Sequence, residues 1–551
     1  MATTLKSLPA SSQSFEDIIR SGAIYADKTK TLADLIAESY FKTGFLARPK
    51  GFGKTLMIST FEAIFSGDRD LFRGLRIERA LKDEGLAPRP VIRLDIGRAT
   101  RSEGFEEFKR SLLNLTVKKA DDLGVATPKD LSPGEALDNL ISRLGQESGR
   151  QIAILIDDYD LPLTDLGLAP WNDEVIALLS DYYGVIKEDD PRASFVLATG
   201  VSSNLELGKL ICLSGFSDLT RFFPCGWICG FTHDDLERYF GAHVKAAAKS
   251  LKMTPAKLLD RMRSRYEGYW FNGVTGVYNP FSVLEFFKTK EFRTFWLDGA
   301  DPDLVASLFL DNRLTVEEHN DESILYFRYH RSLGKFDYNE PQGLLYQRGY
   351  LGLRFPIIGP SPDSGEFILK YSNQDAYGAI SRLWMAQFFE SEEEAGRAMS
   401  RLRYAFVSRD PGAVAAAFNY YLARNPYDRY LLAKPRKPKS PKGEESPKDE
   451  EEPIPQQERF IRSCLLTIAK AADLEAQADI HSHLGRTDLM VKAYGLIWVF
   501  ELEICQKAGE EKKTAEAVLA KIQERGLPEW QNDPNWADSC LGEVLAKTHP
   551  L

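Results

Sequence analysis

Residues 44–65, GFLARPKGFGKTLMISTFEAIF, decide the fold of the amino-terminal half of the chain. The apolar stretch from Gly44 to Ala47 predicts a short strand, and a turn rich in proline and glycine follows it. An apolar-periodic segment that begins at Lys54 predicts a helix. A strand, a glycine-rich turn and a helix in this order are typical of a phosphate-binding loop. The sequence therefore predicts a nucleotide site at the start of the helix.

The residues of this loop suit ATP and Mg²⁺. Gly51 and Gly53 let backbone amides approach phosphate, and the helix dipole adds to the attraction. Lys54 can reach the β- and γ-phosphates, and the Thr55 hydroxyl is a ligand for Mg²⁺. Arg48 occupies the position of the first glycine in the strict pattern, and we count it among the predicted nucleotide contacts.

A second apolar strand ends in two carboxylates. Residues 149–163 read GRQIAILIDDYDLPL, in which Ile152 to Ile156 predict a buried strand of the parallel type. In a phosphate-loop enzyme Asp157 would hold Mg²⁺ through water, and Asp158 would orient the attacking water. This pairing supports the nucleotide site predicted upstream.

Two further stretches extend the predicted sheet. Residues 194–198 form a strand that ends at Thr199, where a polar side chain could sense the γ-phosphate. The alternative is a simple strand-to-loop turn. Residues 89–97, RPVIRLDIG, supply another strand. Strands that alternate with helices predict an α/β fold with a parallel, doubly wound sheet.

Residues 484–504, LGRTDLMVKAYGLIWVFELEI, predict a hairpin near the other end of the chain. Asp488 opens an apolar strand, the turn lies at residues 493–495, and the second strand carries Glu501 and Glu503. The hairpin brings Asp488 near Glu501. Converging carboxylates repel unless a cation lies between them, which predicts Mg²⁺ or Mn²⁺ held by Asp488 and Glu501. The alternative is a buried hairpin with carboxylates at a solvated rim.

Composition limits the class of protein. With 551 residues the chain should hold several domains, and 43% hydrophobic with 27% charged residues is typical of globular protein. No run of eighteen apolar residues and no signal peptide is present, so we expect a cytoplasmic protein with no membrane partner. Six cysteines suggest no disulfide framework. The net charge of −10 argues against a generally basic surface but leaves room for a local basic groove.

Weaker signals lie between the two motifs. Residues 434–457, rich in proline and charge, predict a disordered insert, and residues 343–372 predict a helix with a two-stranded wing. Glu458 on a predicted helix either supports the metal site or is an exposed acid of a first helical turn. Asp479 lies between the two motifs as well, with two histidines nearby that could join a metal site or be solvated: His481 and His483.

The hairpin resembles that of the PD-(D/E)XK nucleases, which supplies Asp and then Glu-x-Lys. The chain as a whole resembles bacterial proteins that join an AAA-ATPase-like domain to a module of that kind. Matching residues in the hairpin are Gly485, Arg486, Asp488, Leu489 and Glu501, whereas Glu503 occupies the lysine position. In the other half, ARPKGFGKT and LIDDYDLPL resemble the family's loop and acidic strand, with Asp158 in place of a glutamate.

The resemblance implies a P-loop ATPase domain over residues 15–230, a helical and winged-helix-like region over 231–385, and a nuclease-like domain over 386–551. It implies ATP-dependent cleavage of nucleic acid, with Lys521 as the candidate for a displaced catalytic lysine. One rival is an ATP-switched interaction protein with a degraded nuclease site. Another is a regulatory NTPase without nucleic-acid contact. A homo-oligomer is an open alternative to a monomer.

Overall fold

The computed structural model describes most of the chain, and every structural statement below concerns the residues it describes. These are residues 5–10, 13–37, 41–82, 86–99, 104–162, 172–186, 190–201, 216–296, 305–306, 325–328, 345–354, 366–424, 456–482, 485–503 and 510–525. The chain divides into two compact units, residues 1–300 with 326–373, and residues 301–325 with 374–551. The three-domain division expected from the sequence stays a prediction.

The first unit is built on a parallel five-stranded sheet, which confirms the predicted α/β fold. Its strands are β1 Thr43–Ala47, β2 Val91–Asp95, β3 Ile152–Asp157, β4 Ala193–Gly200 and β5 Ser217–Asp218, in the order β2-β3-β4-β1-β5. Every residue of β3 is buried, as its unbroken apolar run predicts for a strand covered on both faces. The carboxyl ends of β1, β3 and β4 therefore meet at one edge of the sheet.

Helices cover both faces of this sheet. They are α1 Phe15–Ser21, α2 Thr29–Ala37, α3 Lys54–Ser66, α4 Phe105–Asp122, α5 Pro133–Ser148 and α6 Asn172–Gly184. Adjacent residues of a strand face opposite sides of the sheet, and in β4 two adjacent residues pack against the helices on the two different faces. The Phe195 ring lies 5.1 Å from that of Phe61 on α3, whereas Val196 belongs to the core formed with α4, α5 and α6.

Three helices and a small sheet complete the first unit. The helices are α7 His233–Ser250, α8 Pro255–Tyr266 and α9 Pro280–Thr289, and the sheet has the order β6-β8-β7, with β6 Leu325–Arg328, β7 Leu351–Arg354 and β8 Glu366–Tyr371. The antiparallel pair β7–β8 is the predicted two-stranded wing. Strand β6 was not predicted, because four residues are too short to show a period.

The second unit packs helices against an antiparallel sheet. The helices are α10 Gln374–Ala386, α11 Glu392–Ser408, α12 Pro411–Leu422, α13 Gln456–Ala471 and α14 Glu511–Arg525, and the strands are β9 Glu475–Ser482, β10 Gly485–Ala493 and β11 Leu496–Phe500, in the order β11-β10-β9. The Phe418 and Phe500 rings meet edge to face at 5.7 Å, which fixes α12 against β11.

Two predicted boundaries in this unit shift. Strand β11 ends at Phe500, so Glu501 and Glu503 follow the strand and do not lie within it. Most of the predicted insert, residues 434–455, lies outside the described residues, and its last two residues, 456 and 457, belong to α13, which begins at Gln456. None of the helices in the described ranges combines the length and the apolar character needed to cross a bilayer.

Candidate functional site

The loop between β1 and α3 has the backbone of a phosphate cradle. Gly51 and Gly53 have φ angles of +80° and +89°, in the left-handed region that favours glycine. A Cβ atom at Gly51 would lie 3.2 Å from Cβ of Phe281, so the loop has little room for a side chain there. Helix α3 has no side-chain cap at its amino terminus, which leaves its first amides available to an anion.

Lys54 is the first residue of α3, and its side chain folds back over the loop. Only 6% of Lys54 is exposed, and its Nζ donates to the carbonyl oxygens of Arg48 at 3.0 Å and Pro49 at 3.3 Å. A bound phosphate would offer charged acceptors in place of these neutral ones. Thr55 follows as an exposed residue of the same helical turn.

Arg48 has a structural role that the sequence did not indicate. Its Nη1 donates to the carbonyls of Ala47 at 2.7 Å and Thr220 at 2.8 Å, and its Nη2 donates to the carbonyl of Cys225 at 2.8 Å. The guanidinium also lies over the Phe271 ring, 4.1 Å from its centroid. Arg48 is 1% exposed and fastens the loop to the segment after β5. Its predicted contact with nucleotide stays a prediction.

We expect Arg48→Met to lower the free energy of unfolding by about 3 kcal/mol, because each buried acceptor left unpaired costs roughly 1–3 kcal/mol. Denaturant unfolding measures this change. The matched control is Arg20→Met, whose side chain is 60% exposed and which should stay within about 0.5 kcal/mol of wild type. Equal stabilities for the two variants would contradict the structural role of Arg48.

The carboxyl ends of β3 and β4 bring Asp157 and Thr199 together. Thr199 Oγ1 donates to Asp157 Oδ1 at 2.6 Å, and both residues are at most 1% exposed. The hydrogen bond fixes Oδ1 of Asp157, and Oδ2 is the oxygen that would face a metal-bound water if Mg²⁺ binds here. The structure thus places two of the predicted residues in one contact, beside the loop that holds Lys54.

Asp158 follows Asp157 in a conformation unusual for a residue with a side chain. Its φ angle is +53°, which aspartate tolerates better than most residues. Burial raises the pKa of Asp158 to about 6, while the positive charge of Lys54 opposes the rise. The neighbouring negative charges of Asp95, Asp157 and Asp160 raise the pKa further. Asp158 therefore lies close enough to Lys54 of the loop for the two charges to interact.

Two carboxylates of this cluster were missed by the sequence reasoning. Asp95 ends β2 directly opposite Asp157, a position that its strand ending could have suggested. Asp160 is fully buried, and both of its oxygens accept the backbone N–H of Val201 at 3.1 Å. Asp160 therefore fixes the backbone just after β4. This contact joins segments that are distant in the sequence, so no local pattern indicates it.

The second candidate site lies at the β10–β11 hairpin. Tyr494 and Gly495 form its two-residue turn with φ angles of +50° and +81°, as a type I′ turn requires. Asp488 is 5% exposed, and its Oδ2 accepts the backbone N–H of Leu502 at 2.8 Å. The register Leu489↔Phe500 places Asp488 beside Glu501, and a proton shared with Glu501 would lower the pKa of Asp488. The predicted convergence of these two carboxylates is therefore observed.

Arg462 on α13 is a cation that contacts Asp488, and the sequence reasoning missed it. Its Nη1 lies 3.2 Å from Oδ1 of Asp479 and 3.7 Å from Oδ1 of Asp488. Burial raises the pKa of Asp488, whereas the Leu502 N–H and the Arg462 charge hold it down. Arginine four residues after Glu458 lies on the same helix face, which is the one signal that could have indicated it.

Glu458 and Glu503 border the same site. Burial raises the pKa of Glu458, the negative charges of Asp488 and Glu503 raise it further, and Arg462 lowers it. Lys521 lies on α14 and His481 on β9, but their side chains fall outside the description, as does all of His483. The predicted role of Lys521 stays a prediction.

The hairpin carboxylates fit a divalent cation with an incomplete shell. Within the described ranges, no three His, Cys, Asp or Glu side chains are grouped so as to hold a metal by themselves. Mg²⁺ usually takes one or two carboxylates and keeps several waters. Asp488 and Glu501, which the hairpin register brings side by side, could offer that donor set, and water would supply the remaining oxygens.

Two regions of the chain match models of known protein families. Residues 9–206 match the family described as "Predicted AAA-ATPase", and residues 456–547 match the PD-(D/E)XK nuclease superfamily. These matches confirm the two resemblances read from the sequence. Over 530 residues the chain is 24% identical to an uncharacterised protein from the vnfD 5′ region of Azotobacter chroococcum mcd 1, covering 95% of this chain and 93% of that protein.

Two solved structures align with part of the chain. The ORC2 protein of Aeropyrum pernix is 9% identical, with 65% of this chain and 93% of that chain covered and a TM-score of 0.29. CDC6P from Pyrobaculum aerophilum is 13% identical, with 65% and 96% covered and a TM-score of 0.23. TM-scores this low do not establish a shared fold.

Proposed function

We propose that this chain, which combines an AAA-ATPase-like region with a PD-(D/E)XK nuclease-like region, binds and hydrolyses ATP and uses it to control metal-dependent cleavage of nucleic acid. The observation that supports the ATPase half is the glycine loop with left-handed backbone that leads into an uncapped helix beginning at Lys54. Cys225, Cys229 and Cys464 are buried and form no disulfide, which fits a reducing cytoplasm.

In the proposed nucleotide site the loop amides at Gly51 and Gly53 hold phosphate, and Lys54 leaves its carbonyl acceptors to neutralise it. Thr55 and Asp157 are the candidate partners of Mg²⁺, which would neutralise charge on the phosphates. Thr199 fixes the orientation of Asp157, and Asp158 orients the attacking water.

In the proposed nuclease site Asp488 and Glu501 hold Mg²⁺ or Mn²⁺, which would supply a nucleophilic water and stabilise charge on phosphate. The observation that supports this site is the hairpin register, in which Leu489 pairs with Phe500 and the Leu502 N–H donates to Asp488, so that Asp488 and Glu501 lie side by side. In the related nucleases a lysine occupies the position of Glu503, and Lys521 is its proposed replacement here. The alternative, an ATP-switched interaction protein, is favoured by Glu503, because a carboxylate there adds negative charge where substrate phosphate would lie.

We expect Asp158→Asn to lower ATP hydrolysis by about 10²–10⁴-fold, the usual contribution of a general base, with ATP affinity nearly unchanged. Asparagine tolerates the φ angle of +53° as well as aspartate does, so the backbone should persist. Steady-state phosphate release and nucleotide titration measure the two quantities. Asp130→Asn is the matched control, because Asp130 is exposed and has a φ angle of +63°. Turnover within threefold of wild type would remove Asp158 from the mechanism.

A further inference from the structure

Arg462 lies between two carboxylates that face each other across the β9–β10 pair. The flanking pairs Thr487↔Ile480 and Leu489↔Ala478 place Asp488 opposite Asp479 in the register. Asp479 has a φ angle of +51°, which departs from the strand and interrupts the pairing at this point. Arg462 reaches both carboxylates from α13 through the single atom Nη1.

The position of the guanidinium fits the need for a cation here. Arg462 is 3% exposed and Asp488 is 5% exposed, and buried charges require a partner. Oδ2 of Asp488 is occupied by the Leu502 N–H, whereas Oδ1 faces Arg462 at 3.7 Å. The charges of Glu458 and Glu503 add to the negative potential. The same potential would attract a divalent cation.

We propose that Arg462 is the built-in counter-cation of the nuclease-like site, which holds Asp479 and Asp488 together in the metal-free protein and competes with a divalent cation for Asp488. This inference rests on the metal site of the proposed function. Arg462 acts through the two aspartates and is therefore a positioning residue. Arg462 supplies, from helix α13, a positive charge that a lysine at position 503 of the hairpin would supply and that Glu503 cannot.

The test uses the Arg462→Gln variant. Calorimetry measures its Mn²⁺ affinity, and thermal unfolding in EDTA and in Mn²⁺ measures its stability without and with the ion. Removing one buried positive charge near the ion should tighten Mn²⁺ binding at least about tenfold, given the strength of charge interactions at low effective dielectric. The variant should unfold at a lower temperature than wild type in EDTA, and Mn²⁺ should raise its Tm more than that of wild type.

The matched control is Arg459→Gln, which removes the same charge from an exposed position of the same helix and should leave Mn²⁺ affinity within threefold of wild type. A folded Arg462→Gln protein with wild-type or weaker Mn²⁺ affinity would overturn the inference. If the variant is unfolded in EDTA, we expect Mn²⁺ to refold it, and failure to refold at millimolar Mn²⁺ would overturn it equally. Cleavage is a separate readout: tight Mn²⁺ binding without cleavage upholds the role of Arg462 and counts against the nuclease.

Discussion

Replacing Lys54 with alanine should weaken ATP binding by roughly 10–100-fold, because hydrogen bonds to charged groups contribute about 1.5–3 kcal/mol and every 1.4 kcal/mol is tenfold in affinity. ATP hydrolysis should fall with it. Lys54 starts helix α3, and its ammonium already lies over the loop, where it donates to the carbonyls of Arg48 and Pro49. The amine therefore needs only a short movement to exchange these acceptors for phosphate oxygens.

Calorimetric titration with ATP and Mg²⁺ measures the effect of Lys54→Ala. Lys30→Ala is its matched control, since the Lys30 side chain is 65% exposed on α2 and pairs only with Asp34 among the described ion pairs. The control should bind ATP as wild type does. ATP affinity unchanged in a folded Lys54→Ala protein would refute the phosphate-loop assignment, with thermal unfolding used to show that the variant is folded.

Asp488→Asn and Glu501→Gln should each lower metal-dependent cleavage by on the order of 10²–10³-fold, because a metal ion contributes several kcal/mol of charge stabilisation and 1.36 kcal/mol is tenfold in rate. The two side chains lie side by side at the end of the hairpin, so an ion bound between them loses one of its two carboxylate ligands when either side chain is neutral. Both substitutions preserve shape, and in Asp488→Asn the Leu502 N–H can still donate to the side-chain amide oxygen of the new asparagine.

Initial rates of substrate cleavage in Mn²⁺ measure these losses. The matched control is Glu475→Gln, an exposed glutamate on β9 of the same sheet that lies 3.9 Å from Lys492. Cleavage should survive in the control. Cleavage that survives in Asp488→Asn or Glu501→Gln instead would place the catalytic metal elsewhere or point to a contaminating nuclease.

The sequence was sufficient to predict those elements whose pattern lies within a short stretch of residues. An unbroken apolar run predicted β3 and its burial, and the order of strand, glycines and lysine predicted the loop at Gly51 to Lys54. The hairpin was also predictable, although its turn is Tyr494 and Gly495 alone and not residues 493–495, because Ala493 pairs with Leu496; this two-residue turn fixes which residues face each other. The contact of Asp488 with Glu501 follows from that register.

What the sequence missed depends on contacts between distant segments. Arg48 occupies a glycine position in the motif, and only the fold shows that its donors reach the carbonyls of Thr220 and Cys225. Arg462 resembles any helical arginine until α13 packs on β9 and β10 and aims it at Asp479 and Asp488. A motif names residue types, whereas charge neutralisation in a core depends on tertiary placement.

The central claim is that one chain couples an ATP site to a nucleic-acid-cleaving site, and a cleavage assay tests it most directly. Single- and double-stranded DNA and RNA are each incubated with wild type in Mn²⁺, with and without ATP, beside Lys54→Ala and Asp488→Asn. We expect cleavage of at least one substrate that requires Mn²⁺, increases with ATP, loses the ATP effect in Lys54→Ala and disappears in Asp488→Asn. No cleavage of any substrate by wild type under any condition, with cleavage gained by Glu503→Lys, would contradict the account and establish a degraded nuclease site in its place.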